Sequence, residues 1–344
     1  MNKAIILPLL TLSLLTTVNA NEHQSSAQIM QSALKQMETI AGKSNATKVQ
    51  EKETTTDTFD YQLNAKKLSD NVWCFLGALE GPSKENAGNM VNTCYVKTAD
   101  SYVVIDSGPS YQYAKQAYDV MSNIEKLPVN TVMISHEHDD HWLGNSFYKD
   151  TFNAEIIGPK YINDHYKAGD KTRMFNVLPA NAIVGTKIIP VDTIVNKPLT
   201  LTIGNELFEI TPIGTKAHTA EDYFVYMPKR KVLFAGDLAM NGRITSNRHG
   251  SLLGQLKAIE MMKTKEYEIF VPGHGLDTSK DAMADAEKYF TLLHERLVKA
   301  LEDDVEMTDL AEVIPMNEFK DRAMFKSLNG RNVAEAFTEL EFAE

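Results

Sequence analysis

The sequence predicts an α/β fold with helical segments at both ends. Three observations predict it. Short apolar runs of strand length lead into helix-spaced segments, and this strands-then-helix order occurs twice. Each half ends its last strand in a polar loop carrying His or Asp, the position where α/β sheets keep their chemistry. From Asp281 the pattern turns helical, with Ala286, Tyr289, Leu293, Leu297 and Ala300 on one face.

At the N-terminus, Lys3 precedes an apolar run from Ala4 to Val18, and Val18-Asn19-Ala20 closes it. A basic start, an apolar middle and a small-x-small ending describe a secretory signal peptide over residues 1–20, cut after Ala20. As a membrane anchor the run is short, and Pro8 interrupts it. The expected mature protein is exported, most simply to a bacterial periplasm, with no membrane span. The net charge of −11 becomes −12 once Lys3 is lost. So acidic a chain repels nucleic-acid phosphates, and no basic aromatic patch offsets this. A small-molecule substrate remains as the partner.

Residues 21–58 read as an appendage. Ala27, Met30, Leu34, Met37 and Ala41 fall on one helical face, and a polar Thr/Lys/Glu-rich linker follows. The main domain is expected over 59–295 and a C-terminal helical extension over 296–344. Residues 71–77 and 90–97 read as two strands around a long polar loop. Cys74 and Cys94 lie symmetrically in that hairpin, so they are either a cross-strand disulfide or two buried thiols. A strand over 101–105 runs into a helix over 111–124. Residues 131–134, then 154–158, read as strands, with a short helix near 159–166. The irregular stretch 167–182 is placed to cover a site. Hairpins follow over 199–212, turning at Gly204-Asn205, and over 223–235. A helix over 251–262, a buried strand over 269–271 and helices near 309–313 and 332–340 complete the chain.

The loop after the 131–134 strand is Ser135-His136-Glu137-His138-Asp139-Asp140-His141. Three histidines in six residues stand out in a chain with nine. Imidazole and carboxylate are the ligand set of zinc and related divalent ions. So short a loop cannot easily aim four side chains at one ion. The pattern suits two adjacent metals, with His136 and His138 facing one and Asp140 and His141 the other. Four more residues end strands or sit in site loops: Asp106, His218, Asp237 (in Gly236-Asp237-Leu238) and His274 (in Gly273-His274-Gly275).

Across about residues 65–295, this ordered set resembles the metallo-β-lactamase superfamily. The resemblance implies an αβ/βα four-layer sandwich with a dinuclear site at one edge. It implies that His136, His138 and His218 bind the first metal, and Asp140, His141 and His274 the second. Asp237 would bridge them, and Asp106 would orient ligands from behind. Zinc is the expected ion, with iron or manganese as alternatives. The commonest lactamase class has Cys where Asp237 stands and lacks the His141 ligand, and another class has Ser at the bridge. Having both His141 and Asp237 is similar to the glyoxalase II type and many phosphoesterases. Gly236-Asp237-Leu238, Gly250-Ser251-Leu252 and the ending with Asn332-Val333 and Glu339-Leu340-Glu341 resemble exported hydrolases linked to quinoprotein or sulfur-oxidation systems.

The resemblance implies hydrolysis of an ester, thioester or related bond by a metal-bridging hydroxide, with Asp140 orienting it and carrying its proton. β-Lactamase activity, a mononuclear-iron sulfur oxygenase and a non-catalytic binding protein are the alternatives. Lys216, Arg243 and Arg248 lie in or near site loops as candidate contacts for an anionic substrate group. Trp142, beside the ligands, is a pocket wall or a core residue. N-terminal sequencing of exported material checks the signal peptide: it should begin at Asn21, and retention of Met1 would contradict the cleavage site.

Overall fold

The computed structural model describes residues 57–343. The expected signal peptide, the N-terminal amphipathic helix and all but the last two residues of the linker lie outside the described residues. No helix among the described residues is long and apolar enough to cross a membrane.

Two mixed sheets form the centre. The first runs β1 (Lys66–Ser69), β2 (Val72–Phe75), β3 (Thr93–Lys97), β4 (Tyr102–Ile105), β5 (Val129–Met133), β6 (Glu155–Gly158) and β7 (Thr193–Ile194), in that spatial order. The second holds β8 (Leu199–Ile203), β9 (Glu206–Pro212), β10 (Tyr223–Met227), β11 (Val232–Gly236) and β12 (Ile269–Pro272), ordered β12-β11-β10-β9-β8. Each sheet opens as an antiparallel meander and turns parallel at β4/β5 or β11/β12. Parallel pairing needs a crossover, and helices supply it on the outer faces.

Side-chain alternation makes the layers. Val72, Cys74, Cys94, Val96, Val103 and Ile105 face inward and meet Phe208, Ile210, Val225 and Phe234 of the second sheet. The intervening Trp73, Phe75, Tyr95 and Val104 face outward, against Tyr113, Ala117 and Met121 of helix α1 (Tyr111–Ile124). The short helices α2 (Asp139–Trp142), α3 (Asn145–Phe152), α4 (Lys160–His165), α5 (Met174–Val177) and α6 (Ala180–Ile183) lie along the same half of the chain. On the other side Phe224, Leu233 and Ala235 pack on α7 (Leu252–Lys263), α8 (Ala284–Glu302) and the last helix. After the one-turn α9 (Leu310–Val313), that helix is α10 (Phe325–Glu341). The αβ/βα sandwich with a helical extension is therefore present.

Differences from the sequence reading are local. β1 and β7 are short edge strands with little apolar signal of their own. The last helix starts at Phe325, not near 332, because Asn329 and Asn332 are not breakers here. Asn329 Oδ1 accepts from Tyr289 Oη at 3.1 Å, and Asn332 Nδ2 donates to Thr245 O at 2.7 Å. Tertiary hydrogen bonds overrule the poor helix propensity of asparagine. α8 runs unbroken through residues 295 and 296, so an extension starting at 296 would begin inside a helix.

Cys74 and Cys94 are directly opposite each other on β2 and β3 and form a disulfide, with Cα atoms 4.1 Å apart. Closing a loop of this length stabilises the fold by about 3 kcal/mol in the chain-entropy picture. A C74A/C94A double variant should therefore lose about 3 kcal/mol in a urea melt. An unchanged midpoint would show that the bridge does not constrain the unfolded chain.

Candidate metal centre

Strand ends from both sheets converge at one edge of the sandwich. Asp106 follows β4 with a left-handed φ of 53°, unusual for a residue other than glycine. The strain aims its carboxylate into the β5 loop. It accepts from Ser135 N at 2.8 Å, Ser135 Oγ at 2.9 Å and His141 Nδ1 at 2.8 Å. Gly236 and Gly273 precede Asp237 and His274. A Cβ on Gly236 would lie 2.6 Å from the Ser135 Cβ, and one on Gly273 would lie 2.0 Å from Asp237 Oδ1. The His218 loop is pinned by α7: Ser251 N donates to Ala217 O at 2.7 Å, and Ser251 Oγ caps the helix by accepting from Gly254 N at 2.9 Å.

These contacts settle which imidazole atoms face inward. His141 donates through Nδ1 to Asp106, and His274 donates through Nδ1 to Met90 O at 2.6 Å. Their Nε2 lone pairs then face each other at 3.4 Å. Ser135 Oγ, which gives its proton to Asp106, takes one from His136 Nδ1 at 3.0 Å, leaving His136 Nε2 buried with no hydrogen-bond partner among the described residues. His138 Nδ1 and His218 Nε2 lie 3.0 Å apart, while His138 Nε2 meets His249 Nδ1 at 3.1 Å.

The carboxylates complete the set. Asp237 Oδ2 is 3.2 Å from His218 Nε2, 3.6 Å from His136 Nε2 and 3.3 Å from His274 Nε2, and its Oδ1 is 3.3 Å from His141 Nε2. Asp140 Oδ2 is 3.3 Å from His274 Nε2 and 3.6 Å from His141 Nε2. Among the described residues, Asp140 Oδ2 and Asp237 Oδ1 are buried without hydrogen-bond partners. The donors fall into two groups, His136, His138, His218 and Asp237, and then Asp140, His141 and His274, each within 4.8 Å. Opposed lone pairs and unpartnered buried oxygens are unfavourable unless a cation lies between them, so the residues fit a pair of divalent ions.

Without metal, protons partly take that role. Burial pushes His141 and His274 down, but Asp237 leads the carboxylates that outweigh it and hold both above the usual imidazole range. Burial works to raise Asp237, yet His274, His141 and His136 keep it well below the usual carboxylate range. Burial and then His141 hold His136 well below its ordinary value. Burial, with repulsion from Asp222 and Glu221, pushes Glu137 up to about 8.

A cavity of about 410 Å³ opens over the cluster, with Arg173, Arg243, Arg248, Arg331 and the aromatic rings of Tyr161 and Tyr166 in its wall. Arg243 and Arg248, two of the residues read as candidate anion contacts, both line this cavity. Lys216 lines a neighbouring groove instead. Trp142 takes the core alternative. It is fully buried, its ring centroid 5.3 Å from that of Tyr166, and its Nε1 donates to Glu137 O at 2.8 Å. His249, Arg173 and Arg331 were not read from the sequence as site residues. His249 beside Arg248 in a site loop was the available signal.

The family profile described as the metallo-beta-lactamase superfamily matches residues 87–274, more than half of the chain. The chain belongs to the metallo-β-lactamase superfamily. Among solved structures, a metallo-β-lactamase from Pontibacter korlensis is similar at 19% identity and a TM-score of 0.52, over 67% of this chain and 99% of that one. Metallo-β-lactamase IND-7 is similar at 19% identity and a TM-score of 0.52, over 69% of this chain and 100% of that one. At such identity they share the fold alone. Hydroxyacylglutathione hydrolases of Brucella ovis and Brucella abortus are 27% identical over 150 residues, which is 42% of this chain and 49% of theirs. The chain spans about half the length of these curated relatives.

Metal analysis after gel filtration separates the roles of Asp237, between the two donor groups, and Asp106, behind His141. Asp237→Ala should lose paired occupancy while keeping the wild-type circular dichroism, since the core is apolar. Asp106→Ala should weaken metal binding by about 10–100-fold, as expected of a group that orients a ligand. Two tightly held ions in Asp237→Ala would exclude Asp237 as a bridge.

Proposed function

We propose that this superfamily member is an exported dinuclear zinc hydrolase that cleaves an ester or thioester carrying an anionic group. The observation that carries the reading is Asp237, whose two oxygens reach both donor groups. The hydroxyacylglutathione hydrolases, named for a thioester substrate, support the reaction class. The Cys74–Cys94 disulfide suits the oxidising compartment that export would provide.

Two zinc ions held here would lower the pKa of water to about 7 and polarise a carbonyl oxygen. The chain's own residues do the rest. Asp106 and Met90 O fix the tautomers of His141 and His274, and Ser135 fixes that of His136. Asp140, turned toward His141 and His274 through Oδ2, would orient the attacking water beside the second metal position. Arg243 recognises the anionic end of the substrate. It is 8% exposed, its Nη1 donates to Glu80 O at 3.4 Å, and among the described residues it has no carboxylate partner and its Nε is buried with no hydrogen bond. Tyr161 and Tyr166 offer flat walls to the remainder of the substrate.

A panel of an acyl thioester, neutral and carboxylate-bearing aryl esters and a chromogenic cephalosporin tests this. Thioester and ester cleavage should disappear with chelator and return with zinc. Arg243→Gln should lower kcat/KM for the carboxylate-bearing ester by about 10–100-fold, the worth of a charge-assisted hydrogen bond of about 1.5–3 kcal/mol, and should spare the neutral ester. Turnover of the cephalosporin alone would favour the lactamase alternative. Oxygen uptake on a persulfide with iron bound would favour the oxygenase.

A further inference from the structure

The stretch 167–182, expected to cover the site, touches it through one side chain. Arg173 sits at the head of α5, and its Nε donates to Asp139 Oδ1 at 3.0 Å. Its Nη2 donates to Asp140 Oδ1 at 2.9 Å and lies 2.9 Å from Asp139 Oδ1. Met174 N donates to Asp139 Oδ2 at 3.0 Å. Both oxygens of Asp139 are thereby committed to the covering stretch. Asp140 is divided: Oδ1 is held by Arg173, and Oδ2 is the unpartnered oxygen facing His274 and His141.

A carboxylate without such a tether turns about its last bond and presents either oxygen, or both. No other hydrogen bond reaches Asp140 Oδ1 among the described residues. The guanidinium therefore decides that Oδ2 alone faces the second donor group, and in which direction. A positive charge so near a cation site should weaken it. Here Asp139 neutralises the guanidinium at hydrogen-bond distance, so the pair presents little net charge and the geometric effect wins.

We propose that Arg173 is a positioning residue for the second metal position, acting through Asp140, and that it couples that position to the seating of residues 167–182. The inference rests on the dinuclear reading above. Coupling of this kind is reciprocal: metal at the second position seats the segment, and the seated segment tightens the metal.

The test uses the purified protein titrated with Co²⁺ and with Zn²⁺, followed by calorimetry and by the Co²⁺ visible spectrum. Arg173→Gln should weaken the second equivalent by about 10–100-fold and leave the first within about threefold, on the scale usual for groups behind a metal ligand. Hydrogen exchange should show metal-dependent protection of residues 167–182 in the wild type and much less in Arg173→Gln. Arg173→Lys, which cannot grip both carboxylates in one plane, should fall between the two, and it serves alone if the glutamine variant does not fold. Equal losses at both positions, or a loosened segment with unchanged metal affinity, would overturn the proposal. So would a wild type that takes up one ion. None of these readouts needs turnover. A protein that shows the selective loss yet cleaves no ester or thioester keeps this inference and defeats the hydrolase reading.

Discussion

The structure depends on one electrostatic constraint: a carboxylate, Asp237, buried among four imidazoles at the edge of two sheets. Its oxygens lie 3.2–3.6 Å from His136, His141, His218 and His274. A charge so far from water is tolerable only with opposite charge beside it. The neighbouring groups are fixed in the state that demands such charge, because the outer nitrogens of His136, His141 and His274 are already hydrogen-bonded. The remaining lone pairs have nowhere to turn.

The sandwich exists in the form needed to hold that arrangement. Each sheet changes from antiparallel to parallel pairing, and the loops leaving β4, β5, β11 and β12 end at one edge. Close approach of the loops then dictates glycine at positions 236 and 273, where any side chain would strike Ser135 or Asp237. Asp106 holds a strained backbone because its carboxylate satisfies three donors at once. The helical extension reaches the same edge. Arg331 of α10 lines the cavity, and Glu339 accepts from Ser251 Oγ and from Leu252 N at the N-terminus of α7, behind the His218 loop.

Much of this was legible in the sequence, for physical reasons that differ by element. The seven ligand-type residues sit in the loops, or the one-turn helix, that follow strands, and an apolar run followed by His or Asp marks most of these places without reference to distant contacts. α1 and the β8–β9 hairpin were legible because period and turn chemistry are local properties. What could not be read depends on tertiary contacts. The helical start at Phe325 rests on Asn329 and Asn332 bonding to Tyr289 and Thr245. His249 and Arg173 have no motif. Each gains its place by folding back on a ligand, His138 or Asp140, from more than thirty residues away. Trp142 shows the converse: nearness in sequence to the ligands put it under them, in the core.

The cavity is lined by four arginines, Arg173, Arg243, Arg248 and Arg331, and by the carboxylates of Glu137, Asp139, Asp140 and Asp237. Arg173 is held by Asp139 and Asp140, whereas Arg243 has no carboxylate partner among the described residues. The claim beneath all of this is that two ions share Asp237. Anomalous diffraction at the zinc edge, on crystals of protein purified without added metal, tests it most directly. A dinuclear centre predicts two peaks about 3.5–4 Å apart with the Asp237 carboxylate touching both. One peak among His136, His138 and His218, with Asp140, His141 and His274 left empty, would contradict it.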